Sequence, residues 1–352
     1  MADSATPARE SSEQQTQMFR EAAEAPGVVA RQLSQNRTRI ARIAATLREK
    51  KPRAVVTGAR GSSDHAATFA KYLIETRLGI ITSSIGLSIG SVYETRADFT
   101  DTLFLAVSQS GKSPDLLASV EKAKSGGAFV VAIVNDDQSP LAGLAHETLP
   151  LLAGAEKSVA ATKTYLASVA AIAALIAAWS DDKDLNAALI RLPDQMHDAW
   201  KLDWSEAVAR LTSARDLYTI GRGIGFGCAQ EAALKFKETC GLHAEAFSSA
   251  EVHHGPMALV KSGFPVLMLS QHDETRPGMM ELAQKITQSG ADLLVAGFDA
   301  PGATTLPVIG AHPVLEPILM AQSFYRMINA LSLARGFNPD RPPNLNKITE
   351  TL

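Results

Sequence analysis

The strongest constraint on the fold is a pattern that recurs at a constant offset along the chain. Arg60 and Arg222 are 162 positions apart, and Ser108 and Ser270 are separated by the same distance. Each of the four residues follows a short apolar run, at residues 54–57, 217–220, 103–107 and 266–269. Two strand-and-turn units that keep one spacing indicate an internal duplication.

The apolar runs also predict the fold class. A further run at residues 129–134 follows the first two, and amphipathic stretches separate them. Uninterrupted apolar strands that alternate with helices are typical of a parallel sheet covered on both faces. We therefore predict an α/β chain with two doubly wound, flavodoxin-like domains. The predicted boundaries are an extended or disordered tail at 1–27, domains at 28–190 and 200–335, and a C-terminal tail at 336–352.

Composition excludes several classes of protein. The 352 residues contain 34 Lys and Arg against 37 Asp and Glu, a net charge of −3. This balance argues against a nucleic-acid or membrane partner, because both need excess positive charge. The longest uncharged stretch, residues 164–180, is mostly alanine and too short to span a bilayer. Two cysteines cannot form a disulfide framework, which favours a cytoplasmic location.

A serine-rich turn at residues 108–113 is the first candidate binding feature. It lies between a predicted strand and a predicted helix, where ligands of open parallel sheets bind. Amide N–H groups at a helix start and three serine hydroxyls suit a phosphate monoester. A nucleotide P-loop is excluded, because its first glycine would fall on Ala106. Ser62 and Ser63 form a second donor-rich turn. Ordinary helix capping by these serines is the alternative.

A predicted helix over residues 226–241 carries the candidate groups for proton transfer. Glu231, Lys235 and Glu238 fall at positions i, i+4 and i+7 and therefore share one face. A carboxylate held beside a cation in a cleft can move protons, whereas on an open face the same spacing makes only a surface ion-pair ladder. The pair His253 and His254 precedes Gly-Pro and is predicted to lie at a loop edge, where an imidazole either donates to or accepts from a sugar oxygen or plays no role.

No motif for a metal ion or a nucleotide cofactor is found. The sequence contains no H-E-x-x-H and no close set of Cys and His residues. Phe226 occupies the third glycine position of a dinucleotide fingerprint. We therefore expect neither a metal site nor a cofactor.

Seven short segments, taken in order, match one known pattern from about residue 30 onward. They are residues 61–63, 108–111, 159–163, 231–238, 243–246, 254–256 and 344–347. Together they resemble the SIS (sugar isomerase) family, in particular the isomerase half of glutamine–fructose-6-phosphate aminotransferase. The resemblance implies two tandem SIS domains, a sugar phosphate as substrate and a homodimer.

The resemblance also implies roles for individual residues. Glu238 would shuttle a proton between C1 and C2 of the sugar, with Glu231 and Lys235 in support. His254 would assist ring opening, and Lys347, in a tail that folds over the active site, would meet the open-chain carbonyl. The implied phosphate ligands are Ser62, Ser63, Ser108, Gln109, Ser110 and Ser113, and the further substrate contacts are Gly61, Val159 and Ala161. Ala161 departs from a serine that is usual in the family.

Within that family, a stand-alone deaminase is the best match. The aminotransferase begins with a glutaminase domain whose nucleophile is an N-terminal cysteine, whereas Met1 is followed here by Ala2. The ending 344–352 and the pair His253-His254 resemble SIS-type glucosamine-6-phosphate deaminases. We therefore expect conversion of glucosamine 6-phosphate to fructose 6-phosphate and ammonia. The alternatives are an aldose–ketose phosphosugar isomerase, a deglycase for amino-acid-linked sugar phosphates, and a non-catalytic sugar-phosphate sensor.

Overall fold

A computed structural model describes residues 16–93 and 95–347. The first half of the chain contains α1 (Gln17–Ala23), α2 (Ala25–Gln35), α3 (Arg37–Lys50), β1 (Ala54–Gly58), α4 (Ser62–Leu78), β2 (Ile81–Ser84), α5 (Leu87–Ser91), β3 (Thr102–Ser108), α6 (Pro114–Ser125), β4 (Phe129–Val134), α7 (Pro140–Leu144), β5 (Glu147–Pro150) and α8 (Lys163–Trp179).

The second half begins with three further helices and then repeats the alternation of strands and helices. It contains α9 (Lys183–Leu189), α10 (Leu192–Lys201), α11 (Ser205–Leu211), β6 (Asp216–Gly221), α12 (Phe226–Cys240), β7 (His243–Ser248), β8 (Pro265–Leu269), α13 (Arg276–Gln288), β9 (Asp292–Ala296), β10 (Thr304–Leu306) and α14 (Glu316–Ala334). Short 3₁₀ turns lie at Gly223–Gly225, Glu251–His253 and Pro256–Leu259.

These elements form two compact units. The N-terminal unit contains residues 27–155 and 164–193, and the C-terminal unit contains residues 16–26, 156–163 and 194–347. The C-terminal unit thus includes two segments that lie far from its main part in sequence. Among the described residues, no helix is both long and apolar enough to cross a membrane.

Each unit contains a five-stranded sheet, and the two sheets have the same topology. The strand orders are β2-β1-β3-β4-β5 and β7-β6-β8-β9-β10, and every pair of neighbours is parallel. When the strands of each sheet are numbered in chain order, their spatial order is 2-1-3-4-5, which is the flavodoxin-like order. The predicted fold class of two doubly wound parallel domains is therefore confirmed.

The central strands are apolar along their whole length because helices cover both of their faces. In β3 every residue from Leu103 to Ser108 is buried, and β4 is buried from Val130 to Val134. Phe104 of β3 and Leu116 and Val120 of α6 meet in one core cluster. In the C-terminal unit, the side chains of β6, β8 and β9 pack against α13 in the corresponding cluster.

The expectation of an extended or disordered chain at 1–27 is wrong for the described part of that segment. Residues 17–23 form α1, and α2 begins at Ala25. The hydroxyl of Thr16 accepts the N–H of Phe19 and caps α1, while Met18 and Ala22 are buried. The polar composition concealed this helix, because only one narrow face of α1 is apolar. Residues 1–15 lie outside the described part of the chain.

Two glycine positions provide a test of the backbone geometry. Gly111 has a φ of +63°, and a Cβ there would collide with the side chain of Ser139, whereas Gly27 is an exposed helical residue with open space around it. We expect Gly111→Ala to lower the free energy of unfolding by about 1–3 kcal/mol. Gly27→Ala should raise it by about 0.5–1 kcal/mol. Urea denaturation of both variants measures the difference, and equal stabilities would contradict the described turn.

Candidate active site

The two predicted phosphate turns lie side by side in the N-terminal unit. Strands β1 and β3 are neighbours, with Gly58 opposite Ala106. The chain leaves β1 toward β2 on one side, and the chain that leaves β3 continues toward β4 on the other. This reversal of strand order is the switch point at which open α/β sheets bind ligands. Ser62 and Ser63, expected in a turn, are instead the first residues of α4, whereas residues 108–113 form a turn that leads directly into α6 at this edge.

Within the 108–113 turn, the serine hydroxyls accept backbone N–H groups. The Oγ of Ser108 accepts the N–H of Gly111 at 3.0 Å, and the Oγ of Ser110 accepts that of Lys112 at 3.3 Å. A hydroxyl that accepts in this way keeps its own O–H to donate. Ser113 occupies the N-cap position of α6, but its side chain makes no capping hydrogen bond. The arrangement therefore presents hydroxyl donors beside a helix N-terminus.

An ion pair that sequence reasoning missed joins the two turns. Both the Nε and Nη2 atoms of Arg60 donate to the same oxygen of Asp115, at 2.9 and 2.7 Å. Asp115 is fully buried in the first turn of α6, and Arg60 follows β1. Because this pair links the segments that follow β1 and β3, it fixes the relative position of the two turns. Nearby, burial raises the pKa of Asp64, although His65 and Arg60 act in the opposite direction.

The second candidate group lies on α12 in the C-terminal unit. The Nζ of Lys235 is 2.5 Å from a carboxylate oxygen of Glu238 and 3.4 Å from one of Glu231. The Lys235 side chain is 0% exposed and that of Glu238 is 20% exposed. The hydroxyl of Tyr325 donates to Glu231 at 2.8 Å. The face is thus buried, which rules out the alternative of a solvent-facing ion-pair ladder.

The electrostatic state of this cluster follows from its burial. Burial alone would lower the pKa of Lys235, but the carboxylates of Glu231 and Glu238 outweigh it, so that the pKa is raised. The ammonium therefore stays charged at neutral pH. Its contribution to stability is lost only as the pH rises through the pKa of Lys235, which lies above its ordinary value of 10.5. One cation lies between two carboxylates, so the cluster contains one more acidic group than basic groups. Glu238 is the carboxylate that solvent can reach.

The third group joins Lys347 to the loop that holds Val159 and Ala161. The Nζ of Lys347 lies 3.3 Å from an oxygen of Glu156, whose side chain is fully buried. The other oxygen of Glu156 accepts the N–H of Thr162 at 3.0 Å. The structure therefore brings the predicted tail lysine to the predicted substrate loop, through a carboxylate that sequence reasoning did not single out.

In the described part of the chain, no hydrogen bond joins the imidazole of His254 to the phosphate turns, the α12 cluster or the Lys347–Glu156 pair. His254 follows the 3₁₀ turn Glu251–His253, its own N–H donates to the carbonyl of Glu251, and its ring is exposed. Within the described residues its imidazole makes no hydrogen bond with another side chain. The predicted loop-edge position is what the structure shows, and its role in ring opening stays a prediction.

Three residues that complete these groups were missed for a common reason. Arg60, Glu156 and Tyr325 act through partners that are distant in sequence, and no local spacing connects them. The only available signal was weak: Glu156 immediately precedes the segment 159–163, and Arg60 immediately precedes Gly61. Neither position shows which carboxylate or cation lies opposite it.

Comparison with known proteins supports the fold and the family. The SIS domain profile matches residues 46–178 and 210–296. A glutamine–fructose-6-phosphate aminotransferase from Pyrococcus horikoshii is 33% identical over 319 residues, which cover 86% of this chain and 52% of the relative. The chain therefore spans about half the length of the curated relatives that it matches.

Two solved structures extend this comparison. A protein from Silicibacter pomeroyi DSS-3, provisionally described as a phosphosugar isomerase, is 43% identical with a TM-score of 0.89, and the match covers 92% of this chain and 100% of that one. Glucosamine-6-phosphate deaminase from Thermotoga maritima has a TM-score of 0.76 at 20% identity and covers 96% and 100% of the two chains, which concerns the fold alone. The profile match accounts for more than half of the residues, and the chain belongs to the SIS domain family.

Proposed function

We propose that this protein is a sugar-phosphate enzyme that converts glucosamine 6-phosphate and water to fructose 6-phosphate and ammonia. The observation that carries the proposal is the buried cluster on α12, in which Lys235 holds Glu238 at its partly exposed end. A carboxylate that is oriented by a buried cation and reachable from solvent can accept a proton from carbon and return it.

The phosphate of the substrate is assigned to the N-terminal unit. Ser62 and Ser63 at the start of α4 and the turn 108–113 before α6 present amide and hydroxyl donors at one edge of the sheet. A phosphate dianion prefers such a site, because several N–H and O–H groups point to one place and the helix dipoles add positive potential. The Arg60–Asp115 ion pair connects the segments that follow β1 and β3 and so holds these donors near one another.

The proton transfer is assigned to Glu238. In the open-chain aldehyde, Glu238 takes the proton from C2, which carries the amino group, and leaves an enolamine. Return of the proton to C1, with transfer of one amino proton to the C1 oxygen, gives a ketimine, and water hydrolyses it to the ketone and ammonia. In this scheme His254 opens the sugar ring and Lys347 contacts the carbonyl oxygen. General acid–base catalysis of this kind contributes about 10²–10⁴-fold to the rate.

A second candidate is isomerisation of an aldose phosphate to a ketose phosphate without release of nitrogen. It is favoured by the Silicibacter pomeroyi protein, which is 43% identical over its whole length and is described as a phosphosugar isomerase. The deaminase is supported by the fold shared with the Thermotoga maritima enzyme and by the resemblance of His253-His254 and the C-terminal tail. Ammonia and fructose 6-phosphate, measured across a panel of amino and neutral sugar phosphates, distinguish the two.

Two further properties belong to this proposal. The family resemblance supports a homodimer, which light scattering on the purified protein would detect. A cytoplasmic location is supported by the two cysteines, Cys228 and Cys240, which are both free and buried. Burial raises the pKa of the Cys240 thiol to about 12, so that it remains protonated and unreactive at neutral pH.

Replacement of the proposed base tests the chemistry directly. Glu238→Gln keeps the shape of the side chain but removes its basicity, so kcat for ammonia release should fall by about 10²-fold or more. Binding of inorganic phosphate, measured by calorimetry, should remain within about twofold, because other residues hold the phosphate. The matched control is Glu281→Gln, an exposed carboxylate on α13. Near-normal turnover by Glu238→Gln would refute the assignment.

Removal of the turn hydroxyls tests the phosphate site. Ser110→Ala and Ser113→Ala each delete one donor to a charged ligand, a loss of about 1.5–3 kcal/mol. We expect the KM for the sugar phosphate and the Kd for inorganic phosphate to rise together by about tenfold or more, with little change in kcat. Ser125→Ala, at the exposed far end of α6, is the control. An unchanged Kd in both turn variants would exclude this site.

A further inference from the structure

Helix α1 contains a buried carboxylate that the proposed mechanism does not use. Glu21 is 1% exposed, and its two oxygens accept the backbone N–H groups of Lys157 at 2.5 Å and Ser158 at 3.1 Å. The side-chain amide of Gln17 donates a third hydrogen bond at 2.9 Å. Among the described residues no cation pairs with Glu21. A buried charge of this kind is costly unless fixed donors satisfy it, so the loop and the carboxylate hold each other in place.

The loop that Glu21 holds is the one that receives Lys347. Lys157 and Ser158 follow Glu156 directly, and Glu156 contacts both Thr162 and Lys347. A shift of the backbone at 157–158 would therefore move the carboxylate that anchors the tail lysine. The loop is held at its far end as well, because Lys163 pairs with Glu24 at 2.6 Å just beyond the end of α1.

The tail itself is attached to the other end of the same helix. The carboxylate of Asp340 accepts the N–H groups of Gln17 and Met18, both at 2.7 Å. These are first-turn amides with no partner inside the helix, where a negative charge is also favoured by the helix dipole. Asp340 precedes Lys347 by seven residues. Helix α1 is thus the common support of the tail that carries Lys347 and of the loop that meets it.

Helix α14 supports α1 through hydrogen bonds and connects it to the Glu231–Lys235–Glu238 cluster. The side-chain amide of Gln322 donates to the carbonyl of Ala22 at 3.0 Å, and Thr16 donates to Asn329 at 2.7 Å. Tyr325, on the same helix, donates to Glu231. One buried helix therefore supports both the Glu231–Lys235–Glu238 cluster and the α1 anchor.

From these contacts we infer that Glu21 and Asp340 are positioning residues, through which α1 sets the distance between Lys347 and the loop at residues 156–163. The inference rests on the proposed function, in which Lys347 meets the substrate carbonyl. It adds a requirement to that function: helix α1 is needed for turnover, although the proposed mechanism assigns none of its residues to the substrate. Loss of either anchor should lower kcat and leave phosphate binding unchanged.

The loop anchor is tested with Glu21→Gln. The amide keeps one acceptor oxygen, but its NH₂ group then faces a backbone N–H. Hydrogen exchange of the segment 156–163 should become faster, kcat should fall by about tenfold or more, and the Kd for inorganic phosphate should stay within about twofold. Glu49→Gln, an exposed carboxylate on α3, is the matched control. If Glu21→Gln does not fold, Glu21→Asp, which keeps the charge but shortens the reach, takes its place.

The tail anchor is tested with Asp340→Asn, and Asp299→Asn serves as the exposed control. Exchange of residues 338–347 should become faster, while that of 156–158 stays as in the wild type, and kcat should again fall without a change in phosphate affinity. Unchanged exchange in either anchored segment, or faster exchange with normal kcat, would overturn the inference. A wild-type protein that turns over no sugar phosphate would refute the proposed function instead, and the exchange measurements would still show whether α1 holds the loop and the tail.

Discussion

The charge balance around Lys235 is the interaction on which the proposed chemistry of the C-terminal unit depends. A fully buried ammonium is unfavourable by itself, and it is stable here because Glu231 and Glu238 approach it from either side along one helix. Tyr325 donates a hydrogen bond to the buried Glu231, so Glu238 is the carboxylate of the cluster that remains accessible to solvent. Removal of Lys235 would leave two neighbouring carboxylates without a cation, whereas removal of one carboxylate leaves a single ion pair. The same arrangement therefore also orients Glu238, the carboxylate that we propose as the proton-transfer group.

Each of the two sheets has a switch-point edge between its first and third strands. Only the edge in the N-terminal unit carries the serine-rich segments. In the C-terminal unit the corresponding place is filled by Gln271, whose amide nitrogen donates to the carbonyl of Arg222 at 2.9 Å and to Asp273 at 2.7 Å. Its amide oxygen packs so closely on Gly225 that a side chain there would collide with it. A side chain of the protein itself therefore occupies the second switch point, and the proposed phosphate site is assigned to the N-terminal unit.

Sequence patterns predicted the parts of the structure that are governed by local periodicity. The buried strands β1, β3, β4, β6 and β8 and the helix α12 were all found from their apolar runs and spacing. The edge strand β2 was not, because Ile81 and most of its residues are exposed and its pattern is not continuous. Helix α1 was missed for a related reason: its buried face is narrow, and Glu21 looks like a surface residue until its backbone partners are known.

The sequence by itself determined the duplication, the doubly wound fold and the identities of the acidic and serine-rich groups, because these depend on spacing along one chain. Only the tertiary structure decided that the α12 charges are buried, that Glu156 receives Lys347, and that Glu21 and Asp340 attach the loop and the tail to one helix. The contacts of Glu156, Glu21 and Asp340 join residues more than a hundred positions apart. They follow from packing of the whole unit, and no local pattern records them.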